Sequence, residues 1–204
     1  MIPTIDCITD AEKYIDGVDA VIFDLDDTLY SEKDYVRSGY KKVAEHLGRP
    51  ELVGEMWSVF ENGGKAIDEV LEKYALLSRK EEALRVYRFQ KPDIALYPGV
   101  RDMIERMKKT RKVGIITDGR PEGQNAKILA LGIEVDAYIV TDELGGAAYR
   151  KPNAAAFQLM QKKLEVPFCR MVYIGDNPKK DFIAPEKLGM KSIYFRNRDG
   201  LYSG

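Results

Sequence analysis

The chain has 204 residues, 45% of them hydrophobic, enough for one α/β domain with a modest insertion or for two small domains. Its net charge of -1 and isoelectric point near 6.0 provide no basic excess, so nucleic acid is not an expected partner. No apolar run approaches the roughly 20 residues of a membrane span, and residues 1–20 lack a signal-peptide pattern, so the expectation is a cytoplasmic protein with no membrane partner.

Cys7 and Cys169 lie far apart without ligand spacing, which argues against a disulfide framework or a zinc site. His46 is the only histidine, so chemistry that needs a Ser–His pair, a Cys–His pair or several imidazole ligands would rest on one residue. Carboxylates are the better candidates.

In chain order, residues 1–19 hold a short helix that Asp10 could open and that runs through Ile15. The segment adds nothing to the acidic positions that follow and reads as an edge decoration or the remnant of a longer parent chain. Val21-Ile22-Phe23 is a short apolar run of the kind that forms a buried parallel strand, and it runs into Asp24-Leu25-Asp26-Asp27-Thr28. Residues 31–91 are rich in Glu, Lys, Leu, Tyr and Ala and contain no strand-like run. Their periodicity predicts helices over 33–47, 50–61, 65–77 and 80–90.

After Tyr97-Pro98-Gly99 the pattern changes. Apolar runs recur at Val113-Gly114-Ile115-Ile116, Ala137-Tyr138-Ile139-Val140, Met171-Val172-Tyr173-Ile174 and Ser192-Ile193-Tyr194-Phe195. Helical periods at 100–109, 121–131, 154–164 and 181–188 separate them, with Gly132 and Gly189 as stops. Alternation of this kind predicts an α/β fold with right-handed crossovers and a parallel sheet covered on both faces. Ligands then bind at the carboxyl ends of the strands, where the Asp residues fall. The insert of residues 31–91 leaves residues 1–30 and 92–204 as the core.

Asp24 and Asp26 flank a single residue, so both carboxylates can be directed toward one pocket. At 4 Å and an effective dielectric near 20, two such charges repel by about 4 kcal/mol, so a cation or a proton must resolve the conflict. A hard ion such as Mg²⁺ would take oxygen from Asp24, the main-chain carbonyl of Asp26 and Asp176, and a proton on Asp26 would resolve the rest.

Four segments carry a family resemblance: Asp24-Leu25-Asp26-Asp27-Thr28 after the first strand, Ile115-Ile116-Thr117-Asp118-Gly119, Lys151-Pro152, and Gly175-Asp176-Asn177-Pro178-Lys179-Lys180-Asp181. In this order they resemble the four motifs of the haloacid dehalogenase-like hydrolase superfamily. The resemblance implies a Rossmann-like three-layer core, an inserted all-helical cap domain and phosphoryl-transfer chemistry. By it, Asp24 is the nucleophile, Asp26 the general acid and base, and Thr117 a phosphoryl-oxygen donor helped by main-chain N–H groups of Leu25, Asp118 and Gly119. Lys151 neutralises nucleophile and phosphate, Asp176 binds Mg²⁺, and Asp181 orients Lys151 or a metal-bound water. The dehalogenase branch lacks a carboxylate at the place of Asp26, which favours phosphoester substrates. Ala154 stands where the family pattern often has a second proline, a departure that concerns helix entry.

The expected activity is hydrolysis of a small phosphorylated metabolite through an aspartyl-phosphate. Alternatives with the same residues are a phosphomutase, a phosphonatase using a cap lysine, and a non-catalytic phospho-ligand-binding domain of a larger polypeptide. Asp181 could instead cap a helix. Trp57, Phe60, Tyr74 and Tyr87 read as packing between helices, so no specificity residue is assigned. No Gly-x-x-x-x-Gly-Lys-Ser/Thr or Gly-x-Gly-x-x-Gly occurs.

Overall fold

The computed structural model describes residues 2–201. Residue 1 and residues 202–204, the outer ends of the expected core ranges, lie outside the described residues. The chain divides into two units, Met1–Glu32 with Ala95–Gly204, and Lys33–Ile94.

In the first unit the described strands are β1 (Thr4–Ile5), β2 (Ala20–Phe23), β3 (Lys112–Thr117), β4 (Ala137–Val140), β5 (Met171–Gly175) and β6 (Lys191–Phe195). They form one parallel sheet in the order β1-β6-β5-β2-β3-β4. The α/β fold is therefore as the alternation of apolar runs and helical periods predicts. β2 is buried along its whole length because it pairs on both sides, Ala20 opposite Lys112 of β3 and Met171 of β5.

Side chains of a strand alternate between faces, and the core follows that rule. Ile22, Ile116 and Tyr173 join Phe157, Met160 and Leu164 in one buried cluster. Val21, Phe23, Ile115, Val172 and Ile174 are equally buried on the opposite face. Gly114 is glycine for a packing reason: a Cβ there would stand 2.8 Å from Met160 Sδ and 3.0 Å from Ile22 Cδ1.

The helices numbered in chain order are α1 (Glu32–Leu47), α2 (Leu52–Glu61), α3 (Ala66–Lys73), α4 (Lys80–Arg88), α5 (Val100–Lys108), α6 (Pro121–Leu131), α7 (Ala155–Leu164) and α8 (Ile183–Leu188). α6 has Pro at its start and Gly132 at φ 58° after its end, which suits a proline-opened, glycine-closed helix. α3 is shorter than its periodicity predicts, because Ala75 turns left-handed at φ 54° and the chain passes into a 3₁₀ turn, Leu77–Arg79.

The amino-terminal segment is where sequence reasoning saw least. Thr4 and Ile5 pair with Tyr194 and Phe195 as the sheet's outer strand, a pairing too short to show a period. Ile8–Tyr14 is a 3₁₀ helix that buries Ile8 and Ala11, and Asp10 pairs with Lys13 instead of capping.

The second unit, Lys33–Ile94, has a core of its own. Val36, Tyr40, Val43 and Leu47 of α1 meet Leu52 and Met56 of α2, Ile67, Val70 and Leu71 of α3, and Ala83 of α4. Phe60 lies edge-on to Tyr40 at 6.2 Å and beside Trp57 at 5.2 Å, so these aromatics pack between helices. His46 is half-exposed and paired with Glu82.

Candidate active site

Because β2 lies between β3 and β5, the three strands deliver their carboxyl ends side by side. Asp24 follows β2, Thr117 ends β3, and Asp176 follows β5. The Asp24 amide donates to the Ile174 carbonyl at 2.8 Å, which continues the sheet one residue past the strand. Lys151 arrives from the segment after β4, through a cis peptide to Pro152, and is buried.

Its ammonium is the hub of the site. It donates to Asp24 Oδ1, donates to the Tyr173 hydroxyl at 2.8 Å and meets Asp181 Oδ1 at 2.9 Å as an ion pair. Asp181 Oδ2 accepts the Asn177 amide at 2.9 Å. Asp181 precedes α8 and does not cap it, so its carboxylate serves the site. One oxygen from each of Asp24, Asp176 and Asp181 lies within 4.8 Å of the others.

This crowding sets the charge states. Burial pushes the Asp176 carboxyl up to about 8, with Asp24 and Asp181 adding repulsion. Burial raises Asp24 to about 6, against the pull of Lys151. Burial alone would lower Lys151, yet Asp181 and Asp24 hold it well above the usual lysine range.

The other expected residues form a second group. Asp26 accepts from Lys127 Nζ at 2.7 Å through Oδ1, from Gln124 Nε2 at 2.7 Å through Oδ2, and from the Tyr30 hydroxyl. Burial would raise its carboxyl, but Lys127, Tyr30 and Gln124 outweigh burial and hold it below the usual value. The expected proton on Asp26 finds no support in the metal-free protein, where Asp26 has its own cation and the raised carboxyls are Asp24, Asp176 and Glu32, the last pushed up to about 8 by burial and by Asp26.

Thr117 is fully buried, with its Oγ1 2.7 Å from Gln124 Nε2. Asp118 is more than a turn residue. Its Oδ1 accepts from Thr141 Oγ1 and from the Lys151 amide, both at 3.0 Å, and its Oδ2 pairs with Lys180 at 2.9 Å. Gly119 turns the chain at φ 135° against the Gln124 amide.

Sequence reasoning missed Gln124, Lys127, Tyr30, Tyr173 and Lys180. The first two could have been suspected, since they sit three apart on the helix that follows the Thr117 loop. The three buried carboxylates, of which Lys151 pairs directly with Asp24 and Asp181, fit a hard divalent cation. Two of them are raised by burial and mutual repulsion, which a cation would relieve, and every donor is oxygen. The Asp26 carboxylate stands apart, bound to Lys127, so its main-chain carbonyl is what it could offer a metal.

A family model for haloacid dehalogenase-like hydrolases matches residues 18–189, most of the chain. The chain belongs to this family. Among curated proteins, a glyceraldehyde 3-phosphate phosphatase of Methanocaldococcus jannaschii is 26% identical over 196 residues, covering 86% of this chain and 84% of that protein. One of the same name from Methanopyrus kandleri is 27% identical, covering 91% and 86%. Among solved structures, a 2-haloacid dehalogenase from Pseudomonas syringae superposes with a TM-score of 0.61 at 22% identity, covering 87% of this chain and 86% of that one. A haloacid dehalogenase-like hydrolase from Geobacter sulfurreducens gives 0.64 at 16% identity and 87% of each chain. These two likenesses speak to the fold of this haloacid dehalogenase-like hydrolase. No helix among its described residues is long and apolar enough to cross a membrane.

Proposed function

We propose that this hydrolase cleaves a small phosphomonoester, with Asp24 as nucleophile, an aspartyl-phosphate intermediate and Mg²⁺ as cofactor. The observation that carries the reading is the Asp24 carboxylate held by the Lys151 ammonium beside two further buried carboxylates. In this reading the helical unit is the cap and the other unit the catalytic core.

Lys151 fixes Oδ1 of Asp24 and lowers the repulsion between that carboxylate and an incoming phosphate dianion. Asp24 attacks phosphorus in line as the ester oxygen leaves, and Asp26, ionised in the free protein, takes up a proton from solvent as the phosphate dianion binds beside it and gives that proton to the leaving oxygen. Asp26 then takes a proton from the water that hydrolyses the aspartyl-phosphate. Thr117 donates to a phosphoryl oxygen, and Asp118 keeps the loops bearing Thr117 and Lys151 together. Asp24, Asp176 and the Asp26 carbonyl would hold Mg²⁺ with Asp181 in support, and the ion would supply charge neutralisation and alignment of the phosphoryl group.

The substrate class is a phosphorylated metabolite of the size of glyceraldehyde 3-phosphate, on which the relatives named above act by their names. The test measures inorganic phosphate released from a panel of aryl and alkyl phosphomonoesters that includes triose phosphates, with Mg²⁺ and with chelator. Magnesium-dependent release that disappears in Asp24→Asn supports the reading. Release that survives Asp24→Asn, or phosphate moved between hydroxyls without release, would defeat it.

A further inference from the structure

α6 buries a mixed face: Gln124 and Lys127, exposed only 3% and 5%, share its inner side with Ile128 and Leu131, while Leu129 is 82% exposed. Polar groups at helical spacing belong on the wet face, and a buried lysine needs a partner. Both partners here are parts of the site. Lys127 donates to Asp26 Oδ1 and Gln124 to Asp26 Oδ2, each at 2.7 Å, so each carboxylate oxygen has its own donor from one rigid helix. The Tyr30 hydroxyl, which burial and Asp26 keep protonated, adds a donor to Oδ1.

The same Gln124 nitrogen reaches Thr117 Oγ1 at 2.7 Å and also donates to the Asp118 carbonyl. An amide nitrogen is only a donor, so the Thr117 hydroxyl hydrogen cannot point to it and is left for another acceptor. The preceding turn is cut to fit: a Cβ on Gly119 would stand 3.1 Å from Gln124 Nε2 and 3.3 Å from its Cδ. Simple core satisfaction would not require one amide to touch the proposed acid and base and the proposed phosphoryl donor at once.

We propose that Gln124 and Lys127 are positioning residues, which hold the Asp26 carboxylate in fixed register with the Thr117 hydroxyl so that proton delivery and phosphoryl binding share one geometry. The inference rests on the phosphomonoesterase reading above. Its consequence depends on the leaving group. An alkoxide needs a proton from Asp26 as the ester bond breaks, whereas p-nitrophenolate leaves as a stable anion.

The experiment compares kcat and KM for p-nitrophenyl phosphate and for the best alkyl phosphomonoester of the panel, in wild type, Gln124→Leu, Lys127→Met and Lys127→Arg. Displacing an acid from its working geometry costs about 10²-fold, so Gln124→Leu and Lys127→Met should lose roughly that in kcat/KM on the alkyl ester and less than about tenfold on the aryl ester, since kcat/KM reports departure of the leaving group and not the hydrolysis of the aspartyl-phosphate that both esters share. KM should change little, and Lys127→Arg should recover part of the loss. The ratio of the two rates on one preparation does not depend on how much of it is folded. Equal losses in kcat/KM on both esters, or losses confined to KM, would overturn the proposal while leaving the phosphatase reading intact. A wild type that releases phosphate from neither ester would overturn that reading and this one with it.

Discussion

Asp181 stands 2.9 Å from the Lys151 ammonium, and neither side chain reaches solvent. Removing one member of such a pair strands the other charge in the interior, at a cost of about 3–5 kcal/mol. Lys151→Met is the severe case, because it leaves both Asp181 and Asp24 without their cation. Urea unfolding of the metal-free variant should show a loss in that range, and phosphate release should vanish. A loss below about 1 kcal/mol, the range of exposed pairs, would mean that the pair is not desolvated as described.

Gly175 makes room for the same carboxylate. A Cβ there would lie 2.4 Å from Asp181 Oδ2 and 2.8 Å from its Cγ, and the shift required would break the bond from the Asn177 amide. Gly175→Ala should cost about 1–3 kcal/mol, as other overpacked sites do. It should also weaken Mg²⁺ binding measured by titration calorimetry. Unchanged metal affinity would show that Asp181 contributes nothing to the cation site.

The raised carboxyls give the metal-free protein an unusual response to pH. Asp24, near 6, Asp176, near 8, and Glu32, near 8, all lie above their ordinary values of 3.8 for Asp and 4.5 for Glu. Between the ordinary and the raised values these groups hold more protons in the folded state than in the unfolded state, so stability falls as pH rises. From about pH 6 to pH 8, above the range in which lowered carboxyls such as Asp26, Asp118 and Glu82 still add stability as pH rises, the thermal midpoint without metal should therefore decline, and saturating Mg²⁺ should flatten or reverse the decline, because the cation replaces the protons. A metal-free midpoint that climbs with pH through this window would contradict these charge states.

Asp118 can be tested by the geometry of its replacements. Asp118→Ala removes the acceptor of the Thr141 hydroxyl, the Lys151 amide and the Lys180 ammonium together. Unsatisfied groups of this kind cost about 1–3 kcal/mol, and a displaced Lys151 should reduce kcat. Asp118→Asn keeps an acceptor for Thr141 and Lys151 and should recover most of the activity. If the two variants behave alike, the Lys180 ion pair, not the loop tie, is what matters.

The legible and illegible parts of the site differ in kind. Asp24, Thr117 and Asp176 sit within two residues of the ends of apolar runs, so strand period alone puts them near one another once the sheet is parallel. Lys151 and Asp181 needed the ordered motifs as well, since a lysine before proline or an aspartate before a helix is common in isolation. Gln124 and Lys127 lie on the same helical face as Ile128 and Leu131, which marks them as candidates for burial, but nothing local reveals that Asp26 is their partner. Tyr173 reads as one more apolar position of β5, although its hydroxyl meets Lys151.

What the sequence by itself determined was the alternation of strands and helices, the acidic strand ends, the helical insert and the ordered motifs, because each is a periodic or contiguous signal. Only the tertiary structure decided which carboxylate carries the extra proton, since that depends on the cations that distant segments bring to each one. Lys127, supplied by α6, holds the Asp26 carboxyl below its usual value, while Asp176 is left among Asp24, Asp181 and Asp27 in a buried place. The outer strand β1 was likewise decided by pairing with β6: two residues carry no period, and only the open edge beside them makes them a strand.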